Sequence, residues 1–186
     1  MTHNVDALAQ YMTMIKKVDA FCMTVKEAYM GAMACQKGCD SCCQHLSLFP
    51  VEAVHIRLAL DASPKEIQKI IREKALSCID DPQGSCPLLN QGVCLLYPVR
   101  PIICRTHGFP ILVDGSDGKR MDHCPLNFKE NQDIKRQHIL DLETLNSTLT
   151  VINRLFINEF LGDDAFPDRL LLAEALLMDI FSDDPS

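Results

Sequence analysis

Cys35, Cys39, Cys42 and Cys43 fall within nine residues, CQKGCDSCC, and end in an adjacent pair. Thiols at that density can close disulfides, bind a metal, or supply a nucleophile. Six more cysteines follow or precede them: Cys22, Cys78, Cys86, Cys94, Cys104 and Cys124. Cys22 and Cys78 fall on the apolar faces of two expected helices, where a thiol behaves as a small hydrophobe. Removing them leaves eight, or two sets of four, the ligand number of a tetrahedral zinc or of an iron–sulfur cluster. Ten cysteines in 186 residues are too dilute for a small disulfide scaffold. The expected setting is the cytoplasm, where clustered cysteines bind metal or do redox chemistry. Cys42 with His45, or Cys104 with His107, could nominally form a thiol–imidazole pair. A thiol with seven candidate ligands around it is better read as coordinated.

Helical geometry limits how the first four can share an ion. On an α-helix they would lie at about 0°, 40°, 340° and 80° around the axis, on one face. Cys35 and Cys43 would nevertheless stand about 12 Å apart along it, whereas one zinc needs its sulfurs within about 4 Å of each other. Gly38 must bend the run, its cysteines must divide between sites, or distant cysteines must complete one. Neighbouring side chains diverge, so one of Cys42 and Cys43 is expected at a metal and the other at a second metal or in the core.

The later thiols sit in CPLLNQGVC, residues 86 to 94, and RPIICR, residues 100 to 105. Pro101 can open a helical turn that presents Cys104. Arg100 and Arg105 flank that thiol and can donate hydrogen bonds to thiolate or cluster sulfur, moderating its charge; the ordinary alternative is an ion pair. His45, His107 and His123 adjoin cysteines and could each replace one as a ligand, His123 being the best placed. Tyr97 reads as a packing residue.

These residues resemble a known family. The run C-x3-C-x2-CC, then Cys86-Pro87-Leu88, then C-x2-Y-x2-RPxxCR from Cys94 to Arg105, is similar to the YkgJ-like zinc- or iron-chelating domains, also called CxxCxxCC proteins. The likeness covers about residues 35 to 125, with three residues rather than two between Cys35 and Cys39. It implies metal or cluster binding through eight cysteines and says little of biochemical role.

Helices must position these thiols. Leu8, Met12, Ile15, Val18, Cys22, Val25 and Tyr29 recur at three- and four-residue steps, predicting a helix from Val5 to Met33. A short helix is expected over Leu48 to Leu60 with Pro50 in its first turn. Ser63-Pro64-Lys65-Glu66 reads as a capping box opening a helix to about Cys78. Leu142, Leu145, Leu149, Ile152, Phe156 and Phe160 predict another, and a last one is expected from Pro167 to about Phe181. Between Asp80 and Phe128 periodicity disappears, except that residues 110 to 121 suggest a β-hairpin with a Gly-containing turn. The expected fold is mainly α, a single domain over 1–186. Its loop-built, cysteine-rich metal centre spans about 35–125, between helical flanks at 1–34 and 131–186.

A formal charge of −7 gives no electrostatic case for nucleic acid or an anionic membrane. The first residues lack the pattern of a secretory signal, and no run of about 18 apolar residues predicts a membrane span. None of G-x-G-x-x-G, a P-loop, G-x-S-x-G or HExxH is present. The sequence therefore points to a metal-binding protein holding an iron–sulfur cluster or zinc. Its role would be electron transfer, sensing or metal handling, with a protein redox partner. A structural zinc domain acting as an interaction module, or a redox enzyme using the cluster, is the alternative. A crowded run followed by solitary cysteines favours a [4Fe–4S]-type cluster over paired zinc knuckles. Whether there is one site or two stays open.

Overall fold

A computed structural model describes residues 4–36, 38–116, 118–129, 133–161 and 167–178. About 52% is helical and 14% strand, so the chain is mainly α. In chain order the elements are α1 (Asn4–Ala28), β1 (Ser47–Leu48), α2 (Pro50–Asp61), α3 (Lys65–Cys78), β2 (Leu89–Asn90) and β3 (Val93–Cys94). There follow α4 (Ile102–Thr106), β4 (Ile111–Gly115), β5 (Gly118–Asp122), β6 (Leu140–Asp141), α5 (Leu142–Phe156), β7 (Leu170–Leu171) and α6 (Leu172–Leu177). The chain divides into two compact units, Met1–Lys37 with Ile102–Leu155, and Gly38–Pro101 with Phe156–Ser186.

In the first unit, the buried stripe of α1 is Ala7, Tyr11, Ile15, Val18, Cys22 and Val25. Met12, expected on that face, is 45% exposed, because the stripe begins one position earlier than its apolar spacing suggested. The helix stops short of Met33 because residues 29–32 form a turn with Gly31 at φ 90°. Helix α4 lies against α1; there the Arg105 guanidinium, 3% exposed, donates from Nη1 to Asp19 at 2.6 Å, and the Cys22 thiol donates to the Arg105 carbonyl. The hairpin expected at residues 110–121 is β4–β5, and β6 joins β4 in parallel to give the order β5–β4–β6. Asp141 then caps α5 by accepting the Thr144 amide. Leu145, Leu149 and Ile152 are buried along α5 as their spacing predicts.

In the second unit, α2, α3 and α6 enclose a core of Leu48, Ile56, Leu60, Ile71, Leu88, Leu96, Leu172 and Leu176, with Cys78 packed partly buried against it. Pro50 opens α2, where no amide is required, and Glu52 accepts the Phe49 amide. The capping box expected at Ser63 does not form. Pro64 occupies the cap, and Ser63 Oγ instead donates back to Ala59 O. Gln68, buried, donates to Asp61 O and Ser63 O and so fastens the α2–α3 connection. The last helical segment is shorter than its spacing suggested, since Leu170–Leu171 pairs with β1 before α6 begins. Residues 179–181 of that expected helix lie outside the described residues.

Candidate metal centre

Among the described residues of 35–43 none is helical. Gly38 adopts φ 94°, a left-handed conformation in which a Cβ would be strained. Beyond it a turn closes with the Cys43 amide on Asp40 O at 2.8 Å. The chain next pairs with the approach to Cys86: Gln44 bridges Ser85, the His45 amide donates to Gly84 O, and the Cys86 amide donates to Cys43 O at 3.2 Å.

Cys86 and Cys94 sit on a small hairpin of their own. Strands β2 and β3 pair Leu89 with Cys94, and Gln91 (φ 50°) and Gly92 (φ 74°) form the tip. Two consecutive positive φ values match the twist of a two-residue hairpin loop. A side chain at Gly92 would meet Gly38 Cα at 3.6 Å, so the hairpin tip lies against the start of the first thiol turn. Leu88, 2% exposed, anchors the hairpin in the core, a burial that contributes about 2 kcal/mol.

The result is four thiols in one unit that feel one another's charge. Burial pushes the Cys86 thiol up to about 11, amides of Leu88 and Leu89 offset this, and Cys94 and Cys43 add to it. Burial likewise raises Cys94, opposed by the Leu96 amide and by the Arg100 charge. Cys43 is raised by burial, then by Cys94; a hydrogen bond with the Cys42 side chain opposes this, and Asp40 and Cys39 raise it further. The adjacent pair does not show the expected divergence: the two side chains share a hydrogen bond, with Cys42 exposed and Cys43 half-buried. Arg100 lies over the Tyr97 ring at 3.9 Å and donates to Tyr97 O, which makes Tyr97 the platform that steadies a cation beside Cys94.

The first unit carries Cys35, Cys104 and Cys124. Gly108, at φ 87°, leaves room where a Cβ would stand 3.2 Å from Cys35 Sγ and 3.4 Å from Cys124 Cβ. Cys104 is exposed on the short α4 that follows Pro101. Asn127, 1% exposed, accepts the Ala34 amide at 2.8 Å and donates to Gly108 O at 2.7 Å and to Cys35 Sγ at 3.6 Å. Sequence reasoning passed over Asn127 and Gly108; the faint signal was an amide three residues beyond Cys124.

The histidines differ. His45 Nε2 accepts the Ala173 amide, so Nδ1 carries the proton donated to Asp81 O, and both nitrogens are engaged. His107 is exposed. His123 Nδ1 donates to Cys124 O at 3.0 Å and leaves Nε2 with the lone pair, the arrangement of a ligating imidazole. Among the described residues, no three Cys, His, Asp or Glu side chains converge into a ready-made metal site. The donor set nonetheless fits zinc or iron: soft thiols in groups, with the Leu88, Leu89 and Leu96 amides opposing the rise that burial gives Cys86 and Cys94.

Ten thiols that form no disulfide, on a mainly α chain, define a cysteine-rich protein. The chain belongs to the CxxCxxCC family, described as "Putative zinc- or iron-chelating domain", whose model matches residues 34–138. No curated protein and no solved structure matches it. Among the described residues no helix is long and apolar enough to cross a membrane.

Proposed function

We propose that the protein binds iron as a thiolate-held cluster of the [4Fe–4S] type and serves in electron transfer, sensing or metal handling. The observation that carries this reading is the backbone junction that pins Cys86 to Cys43, with Cys94 on the hairpin that follows, in the unit that also holds Cys39. Those four residues would supply the thiolates, and the group they hold would contribute one-electron redox chemistry. Amides of Leu88, Leu89 and Leu96 stabilise the sulfurs as anions, and Arg100 offsets the accumulated negative charge. Cys42 steadies Cys43 through its hydrogen bond. Cys35, Cys104 and Cys124, with His123 Nε2, form a second set of donors.

A structural zinc site is the second reading, favoured by the amide-capped Cys86 and Cys94, which suit a single tetrahedral ion equally well. Anaerobic purification with metal and sulfide analysis separates the two. Iron with matching acid-labile sulfide, and a brown colour bleached by oxygen, supports the cluster. A colourless protein holding stoichiometric zinc after anaerobic handling defeats it.

A further inference from the structure

We infer that Asn127 is a positioning residue for the metal centre: its side-chain amide holds Cys35 in place as a thiolate donor. The inference rests on the metal-binding reading above and extends it to a residue outside the cysteine motifs. Asn127 is 1% exposed, so each of its polar atoms must find a partner within the protein. The oxygen accepts the Ala34 amide, one residue before Cys35. The nitrogen donates to Gly108 O, four residues after Cys104, and to Cys35 Sγ. The backbone amide of Asn127 itself donates to Cys124 O at 2.9 Å. One residue thereby joins the three segments that carry the thiols of this unit.

The amide's orientation is fixed by its partners: an amide N–H can be accepted only by Oδ1, and a carbonyl can be met only by Nδ2. The remaining N–H therefore has to face sulfur. A donor directed at sulfur fixes how the thiol is turned and which of its lone pairs stay open to a metal, as outer partners of metal ligands do. Gly108 makes the approach possible, since a Cβ there would stand 3.0 Å from Asn127 Nδ2 and 3.2 Å from Cys35 Sγ. Bracing the loops would require only the bonds to Ala34 and Gly108; the bond to sulfur is the one that concerns metal.

The test uses the full chain with zinc as the probe. Zinc affinity is measured by competition with a chromophoric chelator, and each cysteine's protection from N-ethylmaleimide is read by mass spectrometry. Asn127→Asp keeps an acceptor for Ala34 and removes the donors. It is expected to weaken zinc binding about tenfold and to expose Cys35 to labelling, while Cys43, Cys86 and Cys94 stay protected and Cys22 stays unlabelled. In a Cys35→Ser background the same substitution should cost nothing further. An undiminished cost in that background, a still-protected Cys35, or an N127D protein that fails to fold with zinc present overturns the inference. If zinc protects no cysteine of the unsubstituted protein, the metal-binding reading itself fails, which is a different result.

Discussion

The amide of Cys86 donates to the carbonyl of Cys43 across 3.2 Å, so the chain that ends the first cysteine run is pinned to the chain that begins the next pair. Separated by more than forty residues in sequence, these two thiols are set beside each other by backbone hydrogen bonds. Side-chain chemistry then needs to supply only the last adjustment.

That pinning ranks the cysteines by consequence. Cys43→Ser and Cys86→Ser should each abolish metal retention, and the loaded protein should lose several kcal/mol of stability because site formation is coupled to folding. Cys22→Ser and Cys78→Ser should leave metal content intact. Metal analysis and thermal melts check both; a C86S protein that keeps its full metal would remove Cys86 from the ligand set.

Arg100 places a cation beside Cys94. Arg100→Gln should weaken metal binding by about tenfold and, with a cluster present, make reduction harder by removing positive charge from its surroundings. Chelator competition and a redox titration measure the two effects. An unchanged midpoint in R100Q would mean that the guanidinium serves only to stack on Tyr97.

The metal-free protein should weaken in alkali. Cys86 titrates at about 11 when folded against an ordinary 9.0, so the native state binds the extra proton between those values. Stability is then complete below about pH 9 and is lost as pH rises through about 11, by about 3 kcal/mol in all. Metal affinity moves oppositely, rising with pH as thiol protons leave. Denaturant melts of the metal-free chain at pH 8 and at pH 10.5 would reveal the trend, and a flat profile would contradict the burial of Cys86.

Two glycines should respond unequally to alanine. Gly38→Ala meets no atom within 4 Å, so its cost is the left-handed backbone alone, about 1 kcal/mol. Gly108→Ala adds a crowded Cβ against Asn127 and Cys35 and should cost about 3 kcal/mol. Equal destabilisation of the two in urea melts would show that crowding at Gly108 is relieved by movement.

Asp19 is the carboxylate facing the buried Arg105 guanidinium. Asp19→Asn should destabilise the protein by about 2 kcal/mol, below the full penalty for breaking a buried pair because Asp19 is 41% exposed. Adding salt should narrow the gap to the unsubstituted protein.

Apolar spacing made the helices legible, since Val18, Cys22, Val25, Leu145, Leu149 and Ile152 are buried where three- and four-residue steps place them. The strand pairing of residues 111–122 was legible from its turn. The shape of α1's buried face was less so, because Leu8 and Met12 are as apolar as the Ala7 and Tyr11 that the core actually takes. Ser63 misled because proline at the next position occupies the cap and leaves the hydroxyl to bond backwards. At the thiols, composition identified the chemistry, whereas grouping depended on long-range hydrogen bonds such as Cys86 to Cys43, which leave no local trace. Asn127 was invisible for the same reason: its partners at Ala34 and Gly108 are 93 and 19 residues away.

The left-handed Gly38 stands at the boundary where the chain passes from one unit to the other. Counting residues from Cys35 to Cys39 therefore counts across a junction, not along a ligand loop. Cys35 meets the Asn127 amide, whereas Cys39, Cys42 and Cys43 are placed by the turn that closes on Asp40 O. An extra residue beside Gly38 is therefore expected to leave in place both the Asn127 contact with Cys35 and the turn that ends at Cys43.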